Sequence, residues 1–599
     1  MCGITGIIYN DPQRPVESRL LEAMCAAIHH RGPDEWGMWC EGHVGIGMKR
    51  LCIIDLAGGA QPMANREQNI RIVFNGEIYN FRDLRAKLES EGHTFQTDSD
   101  TESIIHLYEE YGEDCVLHLR GMFSFAIWDA RRRKLFMARD RFGKKPLHYL
   151  QDDEKFLFGS EIKAILKHPG VHAEVHRPAI INYMAYGYVP DPDTMFKGIH
   201  KLPPGHVLTW QDGKVQTRQY WDLSFDPDPS PQEDKLYYNE VDRLLHEAVR
   251  IRMISDVPLG AFLSGGIDSS LVVAMMARQS NKPVKTFSIG FDDNHYNELP
   301  YSRMVAQRYG TEHYEEIVHP DAEEVISDLV KGFDEPFADS SAIPTYYVSR
   351  LARRHVTVAL SGDGGDEIFA GYDRYLDWPV TRYSDMIPQA MRKVVFGSLA
   401  QVIPEGMRGK HTMGYLALSP DERYTGAPSR IQNWLTQRFS QSLLEEAGSG
   451  DPDPDIRRWL GEMSGQDVVT RRQYIDVKRY LPGDILAKVD RTSMLVSLET
   501  RAPLLDHVLA EFAATIPAGV KVRDRSLKHV LKTIAKRYLP SELIDRPKMG
   551  FAIPISKWIN NEWREMSREL VLGQRALQRE NFNPVFLQKI MNAHQSGRP

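Results

Sequence analysis

Cysteine is scarce in this sequence: five residues in 599, namely Cys2, Cys25, Cys40, Cys52 and Cys115, all within the first fifth. An odd number at low density argues against a disulfide framework, and no CxxC pair exists to hold a structural zinc ion. This usage fits a reducing, cytoplasmic setting. Long apolar runs are missing too. No stretch of about 18 apolar residues occurs, so no membrane-spanning helix is expected. The opening MCGITGIIYN lacks a basic segment leading into an apolar one and does not read as a secretory signal. Positive charge is not in excess: 74 Lys and Arg against 81 Asp and Glu give a net charge of −7. That balance argues against a general nucleic-acid binder while leaving room for a local basic nucleotide pocket. Neither a fixed-period repeat nor a low-complexity tract is present.

What is there is a composition of 42% hydrophobic and 26% charged residues, ordinary for a globular protein, at a length that predicts two or three domains. Up to about residue 210, short apolar runs alternate with turn signals: 4–9, 44–48, 70–74, 122–128 and 134–138. These predict strands of a layered β-rich domain, with helices over 81–90 and 101–111. Residues 222–234, DLSFDPDPSPQED, have no strand or helix period and read as an interdomain connection. Beyond them the rhythm becomes strand, loop, helix: strands over 257–263, 285–291 and 356–360, helices over 269–278 and 298–309. Such alternation implies a parallel sheet covered by helices. From about Pro379 the chain reads as mainly helical. The expected division is 2–213, a linker 214–235, and 236–599.

Cys2 follows the initiator Met and precedes the small Gly3. Removal of Met1 would put a thiol and a free α-amine on one residue. With a reference pKa of about 7.7–8.0, that amine suits the base for its own side chain. The pieces Cys2-Gly3-Ile4, His30-Arg31-Gly32-Pro33-Asp34, Arg50-Leu51, Phe74-Asn75-Gly76-Glu77-Ile78-Tyr79-Asn80 and Ser99-Asp100-Thr101-Glu102 occur in that order. Together they resemble the N-terminal-nucleophile glutaminase domain of the amidotransferases. Chemistry gives each group a task. The forked guanidinium of Arg50 suits the α-carboxylate of glutamine, and Asp100 suits its α-ammonium. The Asn75 side chain and the Gly76 backbone can donate to a tetrahedral oxyanion. The resemblance assigns the same roles and places Glu77 in the glutamine site. Local alternatives stand beside these: Asn75-Gly76 as a hairpin turn, Arg50 as an ion-pair partner, Asp100 as a cap for the helix beginning at Thr101. His30 and Asp34 are read as organising a loop, and the other four cysteines as buried apolar residues.

The second half carries two Gly-rich strings. Leu263-Ser264-Gly265-Gly266-Ile267-Asp268-Ser269-Ser270 lies between a predicted strand and helix, where backbone and hydroxyl donors suit a polyphosphate. No Lys follows, so it is not a Walker A loop. It resembles the pyrophosphate loop of ATP pyrophosphatases. Ser361-Gly362-Asp363-Gly364-Gly365-Asp366-Glu367 follows a second strand, at the strand end where such sheets bind ligands. Asp268 and Asp366 are the candidate Mg²⁺ ligands, and Leu263 and Ile289 the candidate flanks of an adenine. Both strings, with Asp334-Glu335-Pro336, Ser340, Lys488-Val489-Asp490-Arg491, the run from Ser497 to Asp506 and Arg546-Pro547-Lys548-Met549-Gly550-Phe551, are similar to the synthetase half of glutamine-dependent asparagine synthetases. The resemblance spans nearly the whole chain. It implies an N-terminal-nucleophile hydrolase αββα sandwich, then a doubly wound parallel sheet of ATP-pyrophosphatase type with a helical extension. It implies ATP and Mg²⁺, an acceptor carboxylate that is most simply aspartate, and a homodimer. By position, Lys548 matches the lysine that stabilises the adenylated intermediate. One departure stands out: the family usually has Glu where this chain has Asp363, the group thought to handle protons or place ammonia. Asp is one methylene shorter, about 1.5 Å, which leaves open a different acceptor such as a sugar acid. Two rival readings are a non-catalytic binder, whose sites would be degenerate, and an amide hydrolase without ATP chemistry.

Overall fold

The computed structural model describes residues 2–596 except 229–231, 292–296, 319–321, 377–378, 404–406, 408, 426–436, 448–453, 547–552 and 554. Twelve strands precede residue 220: β1 (Gly3–Tyr9), β2 (Glu35–Glu41), β3 (Val44–Arg50), β4 (Met63–Ala64), β5 (Ile70–Ile78), β6 (Gly121–Asp129), β7 (Lys134–Arg139), β8 (His148–Gln151), β9 (Lys155–Gly159), β10 (Ile199–Lys201), β11 (His206–Gln211) and β12 (Lys214–Gln219). They form two six-stranded antiparallel sheets, ordered β10-β8-β9-β1-β3-β2 and β12-β11-β7-β6-β5-β4.

Alternation along each strand decides the layers. Ile4 and Ile8 of β1 face the second sheet, packing in one cluster with Val73, Trp128 and Leu208. Ile7 and Tyr9 face the other way, joined by Met24, Ile162 and Ile165 from covering helices. On the second sheet, Ile72, Phe74, Phe123 and Phe125 face outward onto Leu84, Leu88, Ile104 and Ile105 of helices Phe81–Ser90 and Asp100–Tyr111. The order is therefore helix, sheet, sheet, helix, the expected αββα sandwich.

Three local expectations need correction. The linker does not begin at 214: Lys214–Gln219 is β12, paired with β11 through the turn Asp212-Gly213, both residues of which have positive φ. Asp-Gly between alternating residues is a strong hairpin signal. Nor is the rest of the connection loose. Leu223 and Phe225 are buried in the core of the second half, and Trp221 donates to Glu511 at 2.7 Å. Asn75-Gly76 is not a turn but lies inside β5, opposite Ser124 and Phe123. A Cβ on Gly76 would sit 2.1 Å from the Met122 carbonyl oxygen, so only glycine lets β5 and β6 approach there.

The second half contains five parallel strands: β13 (Leu259–Phe262), β14 (Lys285–Gly290), β15 (Glu312–Ile317), β16 (Val358–Leu360) and β17 (Glu499–Arg501), ordered β15-β14-β13-β16-β17. The chain builds outward from β13 to β15, then returns to the other side of β13 to lay down β16. The order reverses between β13 and β16, and the crevice beyond their carboxyl ends is where such sheets bind ligands. The expected helical extension follows Pro379. Within it, Asp476–Leu486 is wound wider, with i→i+5 bonding around Pro482, whose missing N–H breaks the normal ladder. No described helix is long and apolar enough to cross a membrane.

Candidate active site

Cys2 sits where β1 enters its sheet, and it is buried. Its backbone N–H donates to Asn75 Oδ1 at 3.0 Å, and Asn75 Nδ2 lies 3.4 Å from Ser124 Oγ. Burial pushes the thiol above its ordinary pKa, while a hydrogen bond from the Leu51 backbone and Arg50 pull the other way.

The structure brings the predicted glutamine residues around this thiol. Arg50 ends β3 and is buried, and it also makes the ion pair offered as its local alternative, with half-exposed Glu35. Its guanidinium holds Glu35 at 2.7 Å and the Ile54 and Asp55 carbonyls at 3.0 and 2.7 Å. Asp100 is not the cap of its helix; Ser99 is, accepting from Thr101 N–H. Asp100 instead accepts from Ile78 N–H at 2.9 Å, which ties the helix to the end of β5. Burial raises its pKa to about 6, with Glu499 adding to the rise. Glu77 is also raised, by burial first and then by Glu499 and Asp100. His30 and Asp34 stand back as expected, His30 on Glu161 at 3.1 Å and Asp34 on Cys52 N–H at 2.9 Å.

Glu499 and Arg501 lie inside the run from Ser497 to Asp506, and the sequence assigns neither a role. They belong to β17 of the second half, yet Arg501 bonds Glu499 at 2.6 Å and reaches Glu77 at 3.5 Å. The surroundings of Cys2 thus include residues of the far domain. No periodicity could have predicted that; the signal available was a pair of opposite charges, Glu499 and Arg501, in a strand with no exposed face.

The second site is a cavity of about 750 Å³ at the carboxyl ends of β13, β14 and β16. Leu263, Ser264, Gly266, Asp268, Ser269, Ile289, Ser361, Gly362, Asp363 and Asp366 all line it. Gly265 lies behind the lining, with φ +76° and a Cβ position 2.7 Å from Ser302 N and Tyr301, so it shapes the loop instead. The two Gly-rich loops touch: a Cβ on Gly362 would meet Ser269 N at 2.7 Å. Ser264 Oγ lies 3.0 Å from Ser269 Oγ and accepts from Gly266 N–H at 3.2 Å. Ser361 Oγ donates to Asp363 at 2.6 Å, while burial raises the Asp363 carboxyl. Lys548 lies outside the described residues.

Several cavity residues had no sequence-derived role. Lys528 Nζ bonds Asp268 and lies 2.9 Å from Asp366, so the two predicted metal carboxylates already converge on one cation. Lys488 reaches Asp339 at 2.7 Å and Ser341 Oγ at 2.8 Å, and Asp339, against the cost of burial, is held down to about 2 by Lys488. Arg546 clamps the first loop from behind, on Glu298 at 2.8 Å and the Gly265 carbonyl at 3.1 Å. The wide helical stretch contributes Tyr480 and Ile485 to the wall.

Residues 240–599 match the asparagine synthase family model, and residues 1–221 the glutamine amidotransferase domain model. The chain belongs to the asparagine synthase family. It is 37% identical to "Asparagine synthetase [glutamine-hydrolyzing] 1" of Bacillus subtilis over 95% of this chain and 90% of that one. It is 35% identical to a putative asparagine synthetase of Mycobacterium tuberculosis over 93% and 88% of the two chains. It is also 30% identical to the amidase chry2 of Gibberella zeae over 95% and 92%. The protein is therefore a ligase of the glutamine-hydrolysing asparagine synthetase type, from a family that uses ATP.

Two polar networks join the halves of this amidotransferase. Arg31 donates to the Cys2 carbonyl at 3.1 Å, to Glu161 at 2.8 Å and in a fork to Asp490 at 2.8 and 2.9 Å. Asp490 lies two residues after Lys488 on helix Ala487–Met494. On the other side Arg120 forks onto Asp506, which Arg252 also holds at 2.9 Å.

Proposed function

We propose that the protein converts aspartate to asparagine with ATP and glutamine. Cys2, deprotonated by its own α-amine, attacks the glutamine amide; the Asn75 side chain and Gly76 N–H take the oxyanion. Arg50 holds the substrate α-carboxylate, which would displace half-exposed Glu35, and Asp100 and Glu77 hold the α-ammonium. Arrival of that ammonium would lower the raised pKa values of the two carboxyls. In the second site, the loops from Leu263 to Ser269 and from Ser361 to Asp366 cradle ATP, and the acceptor carboxylate attacks the α-phosphorus, releasing pyrophosphate. Asp268 and Asp366 fit Mg²⁺, because they already share the ammonium of Lys528; the ion would neutralise pyrophosphate charge. Lys548 would offset charge on the adenylate, and Asp363 would position ammonia and take its proton. Ammonia would cross along the apolar seam of Tyr79, Met122, Ile251 and Met494, where no water competes for the adenylate.

The observation that carries this reading is β17. It completes the synthetase sheet and adds Glu499 and Arg501 to the surroundings of Cys2, an arrangement that an independent amide hydrolase does not need. Incubation with ATP, Mg²⁺, glutamine and aspartate should give asparagine and pyrophosphate in equal amounts. Glutamate release without asparagine would sink aspartate as acceptor. That outcome favours the second reading, a different carboxylate, which rests on Asp363 in place of Glu and on the amidase name of a 30% identical relative.

A further inference from the structure

Amide transfer makes no use of the outer part of helix Asp100–Tyr111, yet three ligating side chains meet there. His106 and Glu109 are three residues apart and share a helix face, and His93 arrives from the turn after helix Phe81–Ser90. One ligand atom from each lies within 4.8 Å of the other two. His106 Nδ1 is 2.9 Å, and His93 Nδ1 3.8 Å, from the same oxygen, Glu109 Oε2. Ligand atoms around a tetrahedral zinc ion at about 2.0–2.1 Å stand roughly 3.3 Å apart, so the two Glu109 distances bracket that spacing and a side-chain adjustment on the order of 1 Å closes the widest pair.

We propose that His93, His106 and Glu109 bind one zinc ion, with water in the fourth position. The outer partners carry the argument beyond proximity. A ligating histidine characteristically presents its second ring nitrogen to a carboxylate, which fixes tautomer and orientation. Both do so here. His106 Nε2, which makes no hydrogen bond, faces Glu102 at 3.6 Å, and His93 Nε2 faces Glu110 at 3.4 Å. The remaining oxygen of Glu109 is held by Asn65 Nδ2 at 2.8 Å. Glu102 is itself fixed by the Gln96 and Thr97 N–H groups, each at 2.8 Å. Every ligand thus has an oriented support, which an incidental charge cluster has no reason to provide. His106 is buried and His93 partly so, while Glu109 keeps the site open for entry of the ion. Two imidazoles and one carboxylate suit zinc rather than magnesium, which takes oxygen ligands. Occupation ties the turn at His93 to the helix whose first residue is Asp100.

Chelator-treated full-length enzyme should take up one equivalent of zinc in a calorimetric titration run in excess Mg²⁺, which occupies the nucleotide cavity. His93→Gln and Glu109→Gln lie near the surface and are expected to fold; each should lose that equivalent. Glu102→Gln keeps one of the two oxygens that accept from the Gln96 and Thr97 N–H groups and removes the orienting charge, and should cost about 10–100-fold in affinity. Cobalt substitution separates this site from the cysteines, since nitrogen and oxygen ligation gives d–d bands without a thiolate charge-transfer band. Zinc uptake unchanged by His93→Gln and Glu109→Gln, no uptake at all, or a thiolate band in the cobalt spectrum would overturn the proposal.

Discussion

In the proposed reaction Cys2 attacks an amide from a place where burial raises its own thiol, which gives the α-amine freed by Met1 removal its task as base. Cys2→Ala removes the nucleophile and nothing in the ATP cavity. Glutamine-dependent product should vanish, while synthesis from added ammonium salts stays within about twofold of the parent. Loss of both activities in a folded variant would contradict the division of labour. Asp363 is the corresponding test in the second site. Its carboxyl is buried and accepts from Ser361. Asp363→Asn should lower the turnover of amide formation by roughly 10²–10⁴-fold, the usual range for a positioned acid or base, without changing ATP affinity measured by calorimetry. Asp363→Glu restores the charge one methylene further out and should recover most of the rate. Weaker ATP binding in Asp363→Asn would instead mark the residue as part of the nucleotide cradle.

Strands were far more legible than what they touch. Helix Phe81–Ser90 has the bounds its amphipathic spacing predicts, and the five strand positions expected in the first domain are all strands, because short-range alternation and turn residues determine them. The ends moved wherever pairing overrode local preference: β5 runs on through Asn75 and Gly76 to Ile78, carried by nine consecutive pairs with β6. The clustering of Leu263 to Ser269 with Ser361 to Asp366 was readable, since loops at parallel strand ends must meet at a reversal of strand order. The partnerships of Lys528 with Asp268, and of Arg501 with Glu77, were not, since they join residues hundreds of positions apart and leave no local period. Two variants test the elements themselves. Gly76→Ala places a methyl 2.1 Å from the Met122 carbonyl and should cost about 2–3 kcal/mol, read as a lower midpoint in urea. Arg501→Lys keeps the charge of β17 but loses the fork. Glutamate released per amide formed should then rise above one, while both partial activities persist; a ratio held at one would show that β17 does not couple the sites.

The two halves hold together through carboxylates whose pKa values are depressed. Burial alone would raise Glu161, Asp490 and Asp506. His30, Arg491 and Lys163 outweigh it at Glu161, Arg31 at Asp490, and Arg252 with Arg120 at Asp506. A depressed carboxyl contributes stability that is complete above its unfolded pKa, about 3.9–4.3, and is lost as pH falls through the folded value. The junction should therefore hold at neutral pH and loosen below about pH 4, before the sandwich core responds. Small-angle scattering should record an increase in radius of gyration while near-ultraviolet dichroism from the buried Trp128 and Trp210 persists; simultaneous loss of both would show that the halves unfold as one. The place of β17 has a consequence for a chain still being made. Every strand of the glutaminase sandwich has been synthesised by Gln219, yet Glu499 and Arg501, which lie among the surroundings of Cys2, leave the ribosome some 280 residues later. In the proposed reaction, a chain not yet extended to β17 would carry Cys2 without Glu499 and Arg501, and glutamine would be spared until the machinery that consumes its nitrogen exists.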